Sequence, residues 1–204
     1  MTILLAISFS LLPYLIGSIP FGLLLTRMAG HGDIRKIGSG NIGATNVMRT
    51  GNKKLAAATL LLDGLKGFFA VAIALHAVTH FAQGERASAL IFLASICALM
   101  GHIFPVWLQF KGGKGVATAI GIAFALSPKL ALAIMALWLG IFLQWRISSL
   151  SALSAFLIAT LCSFLLAPGI AQLMAVITLI IFITHRQNIG RLMRGEEYVW
   201  SKKK

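Results

Sequence analysis

Two glycine-rich segments hold the residues best suited to receive a phosphate. The first runs Ile34-Arg35-Lys36-Ile37-Gly38-Ser39-Gly40-Asn41-Ile42-Gly43-Ala44-Thr45-Asn46-Val47-Met48-Arg49. Glycine lets backbone N–H groups approach an anion closely, so Gly38, Gly40 and Gly43 make this an anion-receiving loop. Ser39, Asn41, Thr45 and Asn46 add short polar side chains, and Arg49 adds a fork that matches phosphate oxygens. The second runs Phe110-Lys111-Gly112-Gly113-Lys114-Gly115-Val116-Ala117-Thr118. Gly112, Gly113 and Gly115 surround Lys114, a point charge for a phosphate, and a helix opening near Val116 would turn its N-terminus toward the same anion.

Neither segment is a nucleotide motif. Gly38, Gly40 and Gly43 fit G-x-G-x-x-G, but no apolar strand precedes them, and Asp63 lies within an apolar run rather than at a strand end. The Lys114 segment lacks the Ser or Thr that follows lysine in a Walker A loop. Each also reads as a turn-rich loop carrying topogenic basic residues, though less readily for the second, where three glycines surround one lysine. A third polar segment is the tail, Thr184-His185-Arg186-Gln187-Asn188-Ile189-Gly190-Arg191. If the last helix continues through it, His185, Asn188 and Arg191 share one face. Asp63 and Lys66 form an i, i+3 pair inside an apolar run, where each charge costs about 2.5–3.5 kcal/mol at the bilayer centre. That pair either locks helix packing or serves the site directly.

The elements that carry these segments are membrane helices. Of 204 residues, 58% are hydrophobic and 11% charged, and the mean hydropathy is +0.90. A soluble domain is about 45–50% apolar and about 25% charged. This excludes a secreted disulfide scaffold, a free-standing nucleic-acid module and a disordered tail. The apolar stretches are Ile3–Thr26, Leu55–Phe81, Ala87–Met100, Val116–Ser127, Leu130–Trp145, Ile147–Ala167 and Gly169–Thr184. The fourth is short and could be re-entrant. With seven crossings, fifteen Lys and Arg residues fall on one side, against Arg86 and Lys129 on the other. The positive-inside rule makes the richer side cytoplasmic. The expectation is therefore an all-α polytopic protein forming one membrane-embedded domain over 1–204. It has about seven transmembrane helices, the N-terminus outside and the C-terminus in the cytoplasm. Ser18-Ile19-Pro20-Phe21-Gly22 should kink the first helix. No basic stretch lies in Met1–Phe9, so a cleaved signal peptide is not expected. The acids are Asp33, Asp63, Glu85, Glu196 and Glu197, and no Cys/His cluster accompanies them, so neither a metal nor a cofactor is expected. The +13 net charge records topology, and no nucleic-acid partner is expected.

These residues suggest a membrane enzyme facing the cytoplasm, one that handles phosphate compounds and a lipid or lipid precursor. Their order is more specific. Gly38–Asn46 with Arg49, then Asp63 with Lys66-Gly67, then Gly101-His102-x-Phe-Pro through Gly112-Gly-Lys-Gly115, then His185-x-x-Asn188-x-x-Arg191 with Gly195-x-Glu197, resemble the bacterial acyl-phosphate-dependent glycerol-3-phosphate acyltransferases, the PlsY family. The resemblance runs along nearly the whole chain, without departure at the polar positions. It implies a seven-helix protein of the bacterial cytoplasmic membrane whose site faces the cytoplasm. It implies transfer of a fatty acyl group from acyl phosphate to the 1-hydroxyl of sn-glycerol 3-phosphate, giving lysophosphatidic acid.

Acyl phosphate is a mixed anhydride with a good leaving group, so no covalent enzyme intermediate is required. The glycerol hydroxyl can attack directly, with the departing phosphate taking its proton. Under this reading His185, Asn188 and Ser39 act at the reacting atoms, the first two orienting hydroxyl or phosphate. Gly38, Gly40, Asn41, Gly43, Thr45 and Asn46 hold the acyl phosphate together with Ser39. Arg49 and Lys114 grip the two phosphates, with Gly112, Gly113, Gly115 and Lys66 lining the site. Two rivals are a phosphate transporter, which should show repeats and midplane polar groups, and a non-catalytic lipid-binding scaffold, which has no use for Asn41, Thr45, Lys114 and Asn188.

Overall fold

Pro20 interrupts the first apolar stretch where the sequence predicts a kink. It lacks an N–H and disfavours helix at the residue before it, and the backbone divides into α1 (Thr2–Gly17) and α2 (Phe21–Met28). The computed structural model describes residues 2–200, and all its regular elements are helical. The chain forms two compact units, Met1–Ala125 and Leu126–Lys204.

In the first unit the short helix α3 (Ala44–Val47) follows the glycine loop. Next comes α4 (Lys53–Phe81), capped by Asn52, whose Oδ1 accepts the Leu55 N–H at 3.0 Å. It is followed by α5 (Gly84–Ile103) and α6 (Val116–Leu126). α4 reverses the habit of a soluble helix: Asp63, Lys66 and Gly67 are buried, while Leu60, Leu61, Phe69 and Ile73 are exposed. A helix surrounded by acyl chains hides its charges and turns its leucines outward. Small residues allow the helices to approach. A Cβ on Gly17 would collide with the backbone of Ala98, and one on Gly67 with the backbone of Thr118. This is how membrane helices pack in the absence of a hydrophobic drive between them.

In the second unit α7 (Pro128–Trp145) and α9 (Pro168–Thr184) each begin with proline, where the missing N–H leaves no bond unmade. Between them runs α8 (Ser148–Leu166). The hydroxyls of Thr160 and Thr178 stand 2.7 Å apart in the buried seam of α8 and α9. The final helix, α10 (Arg186–Met193), leaves α9 at a bend of 65°.

By length and composition Ile3–Met28, Lys53–Phe81, Gly84–Leu108, Pro128–Trp145 and Ser148–Leu166 can each cross a membrane, and α9 with α10 makes a sixth when the bent pair is counted as one span. The fourth predicted stretch forms α6, whose 11 residues reach about 16 Å, against a hydrocarbon core of about 30 Å. The protein is an all-α, polytopic integral membrane protein.

Candidate active site

The glycine loop is folded around one side chain. Asn46 is buried, and its Nδ2 donates to the carbonyls of Ile34 (3.1 Å), Ile37 (2.9 Å) and Asn41 (2.8 Å). Its Oδ1 accepts the Ser39 N–H at 3.0 Å. The Gly40 N–H donates to the Ile37 carbonyl at 3.0 Å, and the Gly43 N–H to Asn41 Oδ1 at 2.8 Å. This changes two expectations. Asn46 is a bracket within the loop rather than a surface donor. The N–H groups of Ser39, Gly40 and Gly43 are committed inside the loop, because a turn this tight must satisfy its own backbone. What the loop offers outward is side chains: Ser39 and Thr45 are exposed, and Asn41 and Arg49 half-buried.

Gly38 and Gly40 take left-handed conformations, φ +56° and +72°. At Gly38 the absent side chain also makes room for Arg49: a Cβ there would stand 2.6 Å from Arg49 Cδ and 2.9 Å from Nη1. The guanidinium therefore lies across the glycine. The loop begins at Asp33, which caps the turn Ile34–Lys36 by accepting the Arg35 N–H at 3.0 Å. The Arg35 guanidinium, 2.6 Å from the carboxylate, holds the Asp33 carboxyl well below the usual range despite the opposing effect of burial. Ile34, Ile42 and Val47 anchor the loop in a cluster with Leu23, Ala56 and Leu108. Leu108 lies in the turn that leads to the second glycine segment, so one apolar cluster supports both polar segments of this unit.

In that second segment the Gly112 N–H donates to the Ile103 carbonyl and the Gly113 N–H to the His102 carbonyl, both at 3.0 Å. Gly115 has φ +90°, and α6 begins directly after it. Lys114 is half-buried between these glycines. Lys66 departs from expectation. At 4% exposure its ammonium stands 2.9 Å from Asp63 Oδ1 and donates to the Ile19 carbonyl at 2.6 Å. An unpaired ammonium inside a span is costly, and here it forms an ion pair with Asp63 and donates a hydrogen bond to the Ile19 carbonyl beside the Pro20 break. Lys66 thus joins α4 to the α1–α2 junction.

In the second unit the predicted helix does not run straight through His185, which sits at the bend between α9 and α10. Its Nδ1 lies 2.8 Å from the Ile181 carbonyl. A carbonyl only accepts, so the neutral ring carries its proton on Nδ1 and keeps its lone pair on Nε2. Asn188 Nδ2 donates to Glu197 Oε1 at 2.6 Å, Arg191 Nε to Oε2 at 2.6 Å, and Ser149 Oγ to Oε1 at 3.0 Å. Burial opposes ionisation of Glu197, yet the bonds from Arg191, Asn188 and Ser149 outweigh it and hold the carboxyl below its ordinary value. The Trp200 N–H donates to the Arg146 carbonyl at 2.9 Å, fastening the tail back on the α7–α8 turn.

Sequence reasoning quoted Glu197 and His102 inside motifs but gave neither a role. Glu197 was detectable as one of two adjacent acids, with Glu196, in a mostly basic tail. For His102 no local signal existed.

The family model for glycerol-3-phosphate acyltransferase matches residues 7–195. A glycerol-3-phosphate acyltransferase of Mesorhizobium japonicum is 57% identical over 185 residues, 90% of each chain. One from Agrobacterium fabrum is 54% identical over 92% of this chain and 88% of its own. The crystal structure of PlsY, an integral membrane glycerol 3-phosphate acyltransferase, in its glycerol 3-phosphate form superposes with a TM-score of 0.85 at 40% identity, over 96% of each chain. Its lysophosphatidic acid form gives 0.84 at 38% identity, over 96% of this chain and 95% of that one. With its glycine loop bracketed by Asn46, its Lys114 segment and its His185–Asn188 bend, the chain belongs to the glycerol-3-phosphate acyltransferase family.

Proposed function

We propose that the protein transfers a fatty acyl group from acyl phosphate to the 1-hydroxyl of sn-glycerol 3-phosphate, as a single functional domain of the bacterial cytoplasmic membrane. The hydroxyl oxygen attacks the acyl carbon, the bond from that carbon to the phosphate oxygen breaks, and the hydroxyl proton leaves with the phosphate. Lysophosphatidic acid and inorganic phosphate are the products. The family match runs through both units, which supports one domain.

The observation that carries this reading is the internally bonded loop that lays the Arg49 guanidinium over Gly38 and turns Ser39 and Thr45 outward. It supports side-chain recognition of phosphate oxygens, with Lys114 supplying the second cation. The resemblance of the polar segments to the acyl-phosphate-dependent enzymes supports acyl phosphate as the donor, and direct attack on that mixed anhydride needs no enzyme nucleophile. Cys97 and Cys162 lie within α5 and α8, away from the polar loops of their own units. His185, with its lone pair on Nε2, and Asn188 orient the hydroxyl. The site faces the cytoplasm, with the N-terminus outside and α6 counted as a crossing. Counted this way, fifteen Lys and Arg residues fall on one side against Arg86 and Lys129 on the other, which supports this orientation.

The test is an assay of the purified protein in detergent or lipid, with glycerol 3-phosphate and, in parallel, acyl phosphate, acyl-CoA and acyl carrier protein. Lysophosphatidic acid formed from acyl phosphate, and lost in Arg49→Ala and Lys114→Ala, is the expected result. A folded protein that makes no product from any donor would overturn it and redirect attention to phosphate flux in proteoliposomes.

A further inference from the structure

We infer that His102 is a positioning residue for the loop carrying Lys114, braced from behind by Asp63. The inference relies on the acyl-transfer reading only for what Lys114 does. Asp63 is 2% exposed and His102 4%, deep among apolar side chains. The Asp63 oxygen that meets Lys66 also lies 3.7 Å from His102 Nδ1. The opposite edge of the imidazole faces Gly113: a Cβ added there would fall on Nε2 and stand 2.7 Å from Cε1. The His102 carbonyl accepts the Gly113 N–H at 3.0 Å. Ring and backbone of one residue therefore fix the glycine just before Lys114.

Asp63 also fixes the other side. Its backbone carbonyl accepts Thr118 Oγ1 at 3.0 Å, in the first turn of α6. The segment from Gly113 to Thr118 is tied at both ends to one residue of α4, through His102 before Lys114 and directly after it. Lys66 secures that residue by an ion pair with Asp63 and a hydrogen bond to the Ile19 carbonyl. An apolar side chain could fill the space of His102. It could not set a polar ring edge 3.7 Å from the Asp63 carboxylate while meeting a glycine on the other side. That arrangement accounts for a buried acid inside a span, and for glycine rather than alanine at 113.

The experiment compares His102→Ala, Gly113→Ala and the double variant, each checked for folding by thermal unfolding in detergent. Two readouts are taken. One is trypsin cleavage after Lys114 in the folded protein, relative to cleavage after Lys36. The other is KM and kcat for acyl phosphate and for glycerol 3-phosphate. Gly113→Ala drives a methyl into the imidazole, so cleavage after Lys114 and one of the two KM values should each rise about tenfold, with kcat held within about threefold. Removing the ring makes room for that methyl, so the double variant should return to within about threefold of His102→Ala alone. If the double variant instead shows the product of the two single effects, the ring does not set the loop and the inference fails. If His102→Ala does not fold, His102→Gln takes its place in the same cycle. If the wild type makes no lysophosphatidic acid, the proteolysis decides by itself: cleavage after Lys114 unchanged in both single variants overturns the inference, and accelerated cleavage upholds it.

Discussion

Asn46 Oδ1 accepts the backbone N–H of Ser39 at 3.0 Å, so the serine at the tip of the glycine loop is held by a buried amide seven residues later. The same amide donates to three carbonyls of the loop. Asn46→Asp would set a second oxygen against those carbonyls. Asn46→Ala would take the side-chain donor from the Asn41 carbonyl and the acceptor from the Ser39 N–H, while the Ile34 and Ile37 carbonyls keep the N–H groups of Ile37 and Gly40. Each buried group left unsatisfied costs about 1–3 kcal/mol. Both variants should lose nearly all turnover. An Asn46→Ala enzyme with wild-type KM and kcat would show that the bracket is dispensable.

Gly38→Ala and Gly51→Ala separate backbone strain from displacement of the Asn46 amide and Arg49. Both glycines are left-handed, at φ +56° and +83°, and an alanine pays about 1–2 kcal/mol in either place. A methyl at Gly51 meets open space, whereas one at Gly38 strikes both Asn46 Oδ1 and Arg49. The larger loss in thermal stability is expected for Gly38→Ala, with a rise in KM of about tenfold or more confined to it.

Lys66→Met should be strongly destabilising, by about 3–5 kcal/mol, because it strands the Asp63 carboxylate inside a span. Adding Asp63→Asn removes the stranded charge and should restore much of the loss. Thermal unfolding of both variants in one detergent checks this, and a double variant no more stable than Lys66→Met would refute it.

Glu197 gives the tail a predictable response to acid. Its carboxyl ionises below the ordinary value when folded, because the hydrogen bonds from Arg191, Asn188 and Ser149 outweigh burial. The stabilisation is therefore complete above the unfolded value of about 4.3 and is lost as pH falls through the lower folded value. Glu197→Gln cannot titrate. The wild type should unfold at higher temperature near neutrality, and the two curves should converge on acidification. Parallel curves would mean that the carboxylate is not held as described.

His185→Asn addresses the proton. If the departing phosphate accepts it, losing the imidazole removes orientation but not chemistry, and kcat should fall by less than the roughly 10²–10⁴-fold that a general base supplies. Complete loss of turnover with substrate binding intact would make His185 the obligatory base.

The sequence alone determined the membrane class, the apolar stretches, the break at Pro20 and the three polar segments. Those features are local: hydropathy over a span, a missing N–H, a run of glycines. It also contained the Asp63–Lys66 pair, because i and i+3 meet on any helix. The tertiary structure decided which way polar side chains face. Lys66 turns to the Ile19 carbonyl, 47 residues earlier in the chain. Asn46 turns inward to hold its own loop, although its type and neighbours suit a surface donor equally well. His102 meets Asp63 and Gly113 only because α5 packs on α4 and its last turn receives the returning loop. Glu197 gathers Ser149, Asn188 and Arg191 because the chain bends by 65° at His185 and doubles back over α8. Short-range periodicity says which residues share a face. Partners for a buried hydrogen-bonding group are supplied by whichever distant segment the packing brings near, and that follows from the whole fold.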